Sequence, residues 1–158
     1  MKSLKIVAGI LVLTMLAFAC VSCKSTPQVT VNATVSVSAP DDPIVLNYGV
    51  SVSKPEGETI TVLDLVRQAL DEMEIKYELN ENNDGVALSF DSITSTDGVT
   101  YTTGYTDASK EYYGMWLYTV DGVEPTGGKA GTIPANDGTV IVYTYTVESQ
   151  AELAEAAD

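Results

Sequence analysis

The chain predicts an α+β domain, and three observations carry that prediction. Two runs of strict apolar alternation stand near the start, a segment of helical period follows them, and a series of short strand-like runs broken by Asp-Gly closes the sequence. With 158 residues, 45% of them hydrophobic, there is room for one domain around one core.

The elements follow in order. Lys2 and Lys5 precede the apolar run "IVAGILVLTMLAFAC", and the polar "KSTPQ" follows a second cysteine. A charged start, an apolar stretch and a small-residue exit are the parts of an export signal. A permanent transmembrane helix needs about 20 apolar residues, more than this run supplies, so cleavage is expected. Both cysteines, Cys20 and Cys23, sit at the exit, which leaves the rest of the chain without a disulfide framework. In "LAFAC" the small Ala19 precedes Cys20 and Leu16 stands four back, which resembles the lipobox of bacterial lipoproteins, whose cysteine is acylated and becomes the mature N-terminus. Cys20 is the expected lipidation site and Cys23 the alternative; an ordinary secretory signal is the plainer reading. Each buried acyl CH₂ contributes about 0.8 kcal/mol, so two or three chains hold a domain stably on a bilayer. The expected location is the cell membrane, lipid-anchored and facing outside the cytoplasm. The expected limits are 1–23 for the signal, 24–28 for a short tether, 29–147 for the domain and 148–158 for an acidic, alanine-rich tail.

"VTVNATVSVSA", from Val29 to Ala39, has an apolar residue at every odd position, the pattern of a strand buried on one side. After "PDDP", Ile44, Leu46, Tyr48, Val50 and Val52 alternate again, so the two runs predict an antiparallel N-terminal β-hairpin. The period then changes: Val62, Val66, Ala69, Leu70 and Met73 share one helical face, and Thr61 with Asp64 supplies a capping-box start. Beyond the helix, "KYELN", "VALSFDSI", "VTYTT", "GMWLYTV" and "TVIVYTYTV" read as short, mostly antiparallel strands. Asp84-Gly85, Asp97-Gly98, Asp121-Gly122 and Asp137-Gly138 mark the turns, because both residue types tolerate positive φ.

Composition narrows the chemistry. The chain has no histidine and no cysteine beyond the exit, which removes histidine bases, cysteine nucleophiles and the common zinc sites and makes a non-catalytic domain the expectation. Loss of the signal leaves 6 basic residues against 22 acidic ones, a net −16, which repels nucleic acid. The membrane through an acylated cysteine, a small-molecule ligand or another surface protein are the partners left. "SVSK", Ser51 to Lys54, matches Ser-x-x-Lys, but on a strand rather than the helical turn that brings lysine to serine. "NENNDGVALSFD" places Asn80, Asn82, Asp84 and Asp91 at the first, third, fifth and twelfth positions of a calcium loop in outline. Its flanks read as strands, so an Asx-rich turn is the better account and no metal is expected.

"EYYGMWLYTVDGVEP" holds the only tryptophan and three of the nine tyrosines. Period 2 puts Trp116, Tyr118 and Val120 on one face and Met115, Leu117 and Thr119 on the other. Both faces are largely apolar, so the strand is either central and doubly covered or has one face exposed for a ligand. Tyr112 and Tyr113, expected in a loop before Gly114, are the contact candidates, while Trp116 is expected to be mainly structural.

Taken together, "TVLDLVRQAL" after two strands, "WLYTVDG" and the closing "PANDGTVIVYTY" resemble the transcobalamin-like C-terminal domain, found in transcobalamin, intrinsic factor and bacterial surface proteins. The resemblance spans about Val29 to Val147 and implies a β-grasp-like fold with cobalamin or another corrinoid as ligand. On it, Trp116, Tyr118 and Gly122 match the family's aromatic strand and turn, and Asp137-Gly138 its final turn. The chain lacks the helical barrel that closes on the corrinoid in transcobalamin, and it has no imidazole to offer cobalt. The competing class is a structural or adhesive surface component that pairs through exposed strands. A ligand site predicts a concave, aromatic-lined patch near Trp116, and an adhesive domain predicts a long uncovered strand edge.

Overall fold

The computed structural model describes residues 26–106, 108–126 and 129–151. The expected export signal with Cys20 and Cys23 lies outside them, as do residues 152–158 of the expected tail.

Alternation forms β1 (Gln28–Ala39) as expected: Val31, Ala33, Val35, Val37 and Ala39 are all buried. β1 pairs antiparallel with β2 (Asp42–Pro55) through a turn at Pro40-Asp41. In β2 the alternation breaks. Leu46 is 64% exposed and Val45 only 2%, because Leu46 and Asn47 together stand where one residue would face Ser36. This bulge puts Asn47 at φ 46 and ties its N–H to the Ser36 hydroxyl at 3.0 Å, so the inward face passes from Val45 to Tyr48.

The helix α1 (Val62–Glu72) starts at the Thr61 cap, with the capping box complete. Its buried stripe is wider than one amphipathic face, since Leu63 and Leu65 are buried beside Val62, Val66, Ala69 and Leu70. Met73, expected on that face, is instead the C-cap residue and 42% exposed.

Five strands follow: β3 (Lys76–Glu81), β4 (Ala87–Thr94), β5 (Thr100–Thr102), β6 (Gly104–Tyr105) and β7 (Tyr112–Val120). A single 3₁₀ turn at Ala130–Thr132 precedes β8 (Thr139–Ser149). The strands form two sheets. One is mixed, in the order β2-β1-β8-β7-β6, with β1 and β8 parallel and the other neighbours antiparallel. The second is antiparallel, in the order β3-β4-β5. The α+β expectation is met, and the pairing overruns the expected 29–147 limits by Gln28 at one end and Glu148 and Ser149 at the other.

The core lies between the large sheet and a second layer made of α1, the 3₁₀ turn and the small sheet. Val35, Val37, Ile141 and Tyr143 face it from the large sheet, and Leu65, Leu70, Phe90 and Ile93 from the other side. Phe90 stands edge-on to both Tyr77 and Tyr143, at 5.4 and 5.6 Å between ring centres.

One further expectation changes. Tyr112 and Tyr113 belong to β7 rather than a loop, since the Thr106 N–H bonds the Tyr112 carbonyl at 3.1 Å and both tyrosines pair with β8. β7 lies between β8 and β6, and β6 pairs with it only at Tyr113 and Gly114. Of the four Asp-Gly turns, Asp121-Gly122 alone uses positive φ at both residues, 53° and 77°, with Val120 and Val123 bonded across it. At the other three the glycine alone does so.

Candidate functional site

Strand period turns Trp116 and Tyr118 inward, opposite Tyr145 and Tyr143 of β8. Trp116 lies 5.1 Å from Tyr145 and 6.4 Å from Tyr101 between ring centres, and donates its indole N–H to the Tyr101 carbonyl at 3.2 Å. Tyr118 stacks on Tyr143 at 5.1 Å with planes 11° apart. The protein's own rings therefore occupy the inner face of β7, and Trp116 joins the two sheets.

Gly114 ends this cluster. A Cβ there would collide with the Tyr145 hydroxyl, which donates to the Thr102 carbonyl at 2.9 Å and so links β8 to the end of the small sheet. Tyr112 and Tyr113 take opposite faces of β7. Tyr113 stands edge-on to Tyr105 at 5.3 Å, and the Lys110 ammonium lies 5.5 Å over the Tyr105 ring. Tyr112 is 43% exposed on the other face. Gly122 serves the turn at the far end of β7. Trp116 and Tyr118 thus come together, Tyr113 joins a surface built with Tyr105, and the five candidates do not line one patch.

The calcium-loop candidates are spread along β3, β4 and the turn between them. Asn80 is paired with Ser89 inside the ladder. Asn82 uses its side-chain oxygen on the N–H groups of Asp84 and Val86, at 3.0 and 2.8 Å, as an Asx turn does. Asp91 lies within β4, its carbonyl bonded to the Thr103 N–H at 2.7 Å. Ser51 and Lys54 point to opposite faces of β2, Ser51 to the Asn32 side-chain oxygen at 2.6 Å and Lys54 to Asp64 at 2.7 Å, so they form no nucleophile-base pair.

Two features escaped sequence reasoning. The first is the outer edge of β2, which has no neighbouring strand among the described residues. The Glu56 N–H bonds the Pro27 carbonyl at 2.8 Å, and this sets the phase of the ladder. Lys54, Val52, Val50 and Tyr48 turn their backbone groups toward β1, and Ser53, Ser51 and Gly49 turn theirs outward. The three outward residues are exposed and small, so nothing shields their N–H and C=O groups. "GVSVS" carried that signal, but only the strand order shows which side is open.

The second is the outer face of the small sheet, an open depression of about 740 Å³. Its floor consists of Ser92, Thr94, Thr100 and Thr102, with Lys76 and Glu78 beside them. Threonine is common in strands, so nothing in "VTYTT" marks it as a surface of interest.

No family model matches the chain, and no curated protein matches it. Among solved structures, the chain is similar to one described as a "putative metal binding protein" from Ruminococcus gnavus ATCC 29149, at 16% identity and a TM-score of 0.42, over 75% of this chain and 98% of that one. A likeness at that level carries no argument about function.

Proposed function

We propose that the chain is a lipid-anchored, extracytoplasmic interaction module, without catalysis, whose β-grasp-like domain binds partner proteins by strand addition along β2. The uncovered β2 edge is the observation that carries this reading. Over Tyr48–Lys54 it offers three successive outward residues, while the usual protections stand only at its ends: Pro43 and the Asn47 bulge on one side, Pro55 on the other. An extended segment laid there gains main-chain hydrogen bonds, and the small side chains of Gly49, Ser51 and Ser53 let it approach. The β-grasp-like assignment is supported by an opening antiparallel pair whose first strand runs parallel beside the last, with a helix crossing one face. The charged start, apolar run and Ala19-Cys20 exit support anchoring. Corrinoid capture is the narrower version of the binding reading and is implied by the family resemblance.

Hydrogen exchange tests the edge. The full chain in its native envelope is compared with the chain purified alone, and Ser51→Pro is measured alongside. Strand addition slows exchange at Gly49, Ser51 and Ser53 in the envelope sample and leaves the inward amides of β2 unchanged. Ser51→Pro removes an outward donor without touching the β1 ladder, and it abolishes that protection. Equal exchange in both preparations overturns the proposal.

A further inference from the structure

We propose that the outer face of the small sheet binds a neutral saccharide chain, a site that shares no residue with the β2 edge. Ser92 stands opposite Thr102 and Thr94 opposite Thr100, while Lys76 and Glu78 face Thr94 and Ser92 from β3. Strand alternation keeps these six side chains on one face and turns Tyr77, Ile93 and Tyr101 inward. The floor of the depression is thus a two-by-two array of hydroxyls, with those of Thr94 and Thr100 2.9 Å apart. Toward the β4–β5 turn it continues into a second hollow of about 380 Å³, which shares Ile75, Lys76 and Thr94 with the first. Ser95 lines this hollow at 5% exposure, and its hydroxyl has no hydrogen-bond partner among the described residues. That hydroxyl has almost no exposed surface, so the groups offered to a ligand are those of the floor.

Charge selects the ligand class. The mature chain carries a net −16, and Asp71, Glu74 and Glu78 outnumber Lys76 along the two hollows, which disfavours anionic ligands. Lys76 stands against Glu78 on the same face. At the wall, the Asp71 carboxylate accepts the Tyr77 hydroxyl at 2.9 Å, and the same hydroxyl receives the Arg67 Nε–H at 3.4 Å. Carboxylates are in slight excess, so a cationic peptide is the competing ligand, and it is the hydroxyl floor that favours a neutral one. A hydrophobic ligand would leave the floor's hydroxyls unpaired. Serine and threonine hydroxyls both donate and accept, and sugar hydroxyls do the same, so an array of them can pair with a saccharide in many orientations. An open depression on a sheet face suits a chain, which runs through and leaves at both ends.

The test is calorimetry on the full chain in detergent micelles. The probes are the hexamers of β-1,4-glucose, β-1,4-N-acetylglucosamine and α-1,4-glucose, with hexalysine and hexagalacturonate as charged controls. At least one neutral hexamer is expected to bind with a Kd of about 1 mM or tighter, and neither charged control is expected to bind. The Thr94→Val/Thr100→Val double variant keeps β-branched residues in both strands and is expected to weaken binding about tenfold or more. Circular dichroism checks that the variant is folded, and Thr102→Val supplies a second variant if it is not. Ser51→Pro leaves saccharide binding unchanged, so failure at the β2 edge and failure here are separable. No saturable heat from any neutral hexamer up to about 10 mM, unchanged binding by a folded double variant, or binding by hexalysine alone each overturns the proposal.

Discussion

Lys54 and Asp64 join the end of β2 to the first turn of α1 through an ion pair of 2.7 Å, the one found among the described residues. The pair falls on the oxygen that also caps the helix. Asp64 Oδ2 accepts from the Thr61 N–H at 2.7 Å and from the Thr61 hydroxyl at 2.8 Å, while that hydroxyl accepts the Asp64 N–H at 3.3 Å. Strand, connection and helix therefore share one carboxylate.

That carboxylate gives the domain an acid-sensitive joint. Burial pushes its pKa up, but hydrogen bonds from Lys54 and Thr61 outweigh burial and hold it below the ordinary value of 3.8. A carboxylate depressed in the folded state contributes stability that is fully present above its unfolded pKa and is lost as pH falls through the folded one. Asp64→Asn is expected to cost about 1 to 3 kcal/mol in urea unfolding at pH 7 and to flatten the loss of stability below about pH 4. An acid limb identical to that of the unaltered protein would show that Asp64 is not its source.

Two tyrosines two residues apart on β8 should respond in opposite directions. The Tyr143 hydroxyl is buried without a partner among the described residues, and burial pushes its pKa up. The Tyr145 hydroxyl bonds the Thr102 carbonyl. Tyr143→Phe keeps the ring that packs on Phe90 and Tyr118 and removes an unsatisfied oxygen, so it should stabilise by up to about 1 to 3 kcal/mol. Tyr145→Phe should destabilise by about 0.5 to 1.5 kcal/mol. Chemical unfolding of both variants decides, and a destabilised Tyr143→Phe would mean that an ordered water already satisfies that hydroxyl.

How much of this was legible depends on the range of the interaction. β1 and the start of α1 could be read because alternation and a Thr61–Asp64 capping box are local patterns. Leu46 was misplaced because the bulge at Leu46-Asn47 hands the inward face from Val45 to Tyr48, and a lone Asn47 hardly announces it. Tyr112 and Tyr113 look like one aromatic pair in sequence but occupy opposite faces once β7 includes them. The open side of β2 and the hydroxyl floor depend on which strands lie beside which, and β1 meets β8 more than a hundred residues away. No local pattern specifies that pairing.

Anchoring is tested on the whole chain in cells. Radiolabelled palmitate should enter the unaltered protein, stay in Cys23→Ser and be lost in Cys20→Ser. Loss in Cys23→Ser alone would move the acylated residue by three positions, and no labelling in any form would overturn the lipid anchor.

The corrinoid version of binding meets its test at Trp116. Its indole touches Tyr101 and Tyr145 and bonds a backbone carbonyl, so Trp116→Ala should cost about 3 kcal/mol, near the lower end for a large aromatic because the ring is only half-buried. Tyr113→Ala removes one edge-on contact, with Tyr105, at the sheet's margin and should cost about 1 kcal/mol or less. That contrast separates fold from binding. If a corrinoid docks on the Tyr105–Tyr113 rim, cobalamin or cobinamide quenches Trp116 fluorescence saturably, and Tyr113→Ala weakens the quenching while the domain stays folded. The titration has to be corrected for absorption by the corrinoid itself. No saturable quenching up to about 100 μM, where binding is worth only about 5.5 kcal/mol, removes corrinoids as ligands. Strand addition at β2 is unaffected by that result, because its backbone groups lie across β1 and β8 from the Trp116 cluster.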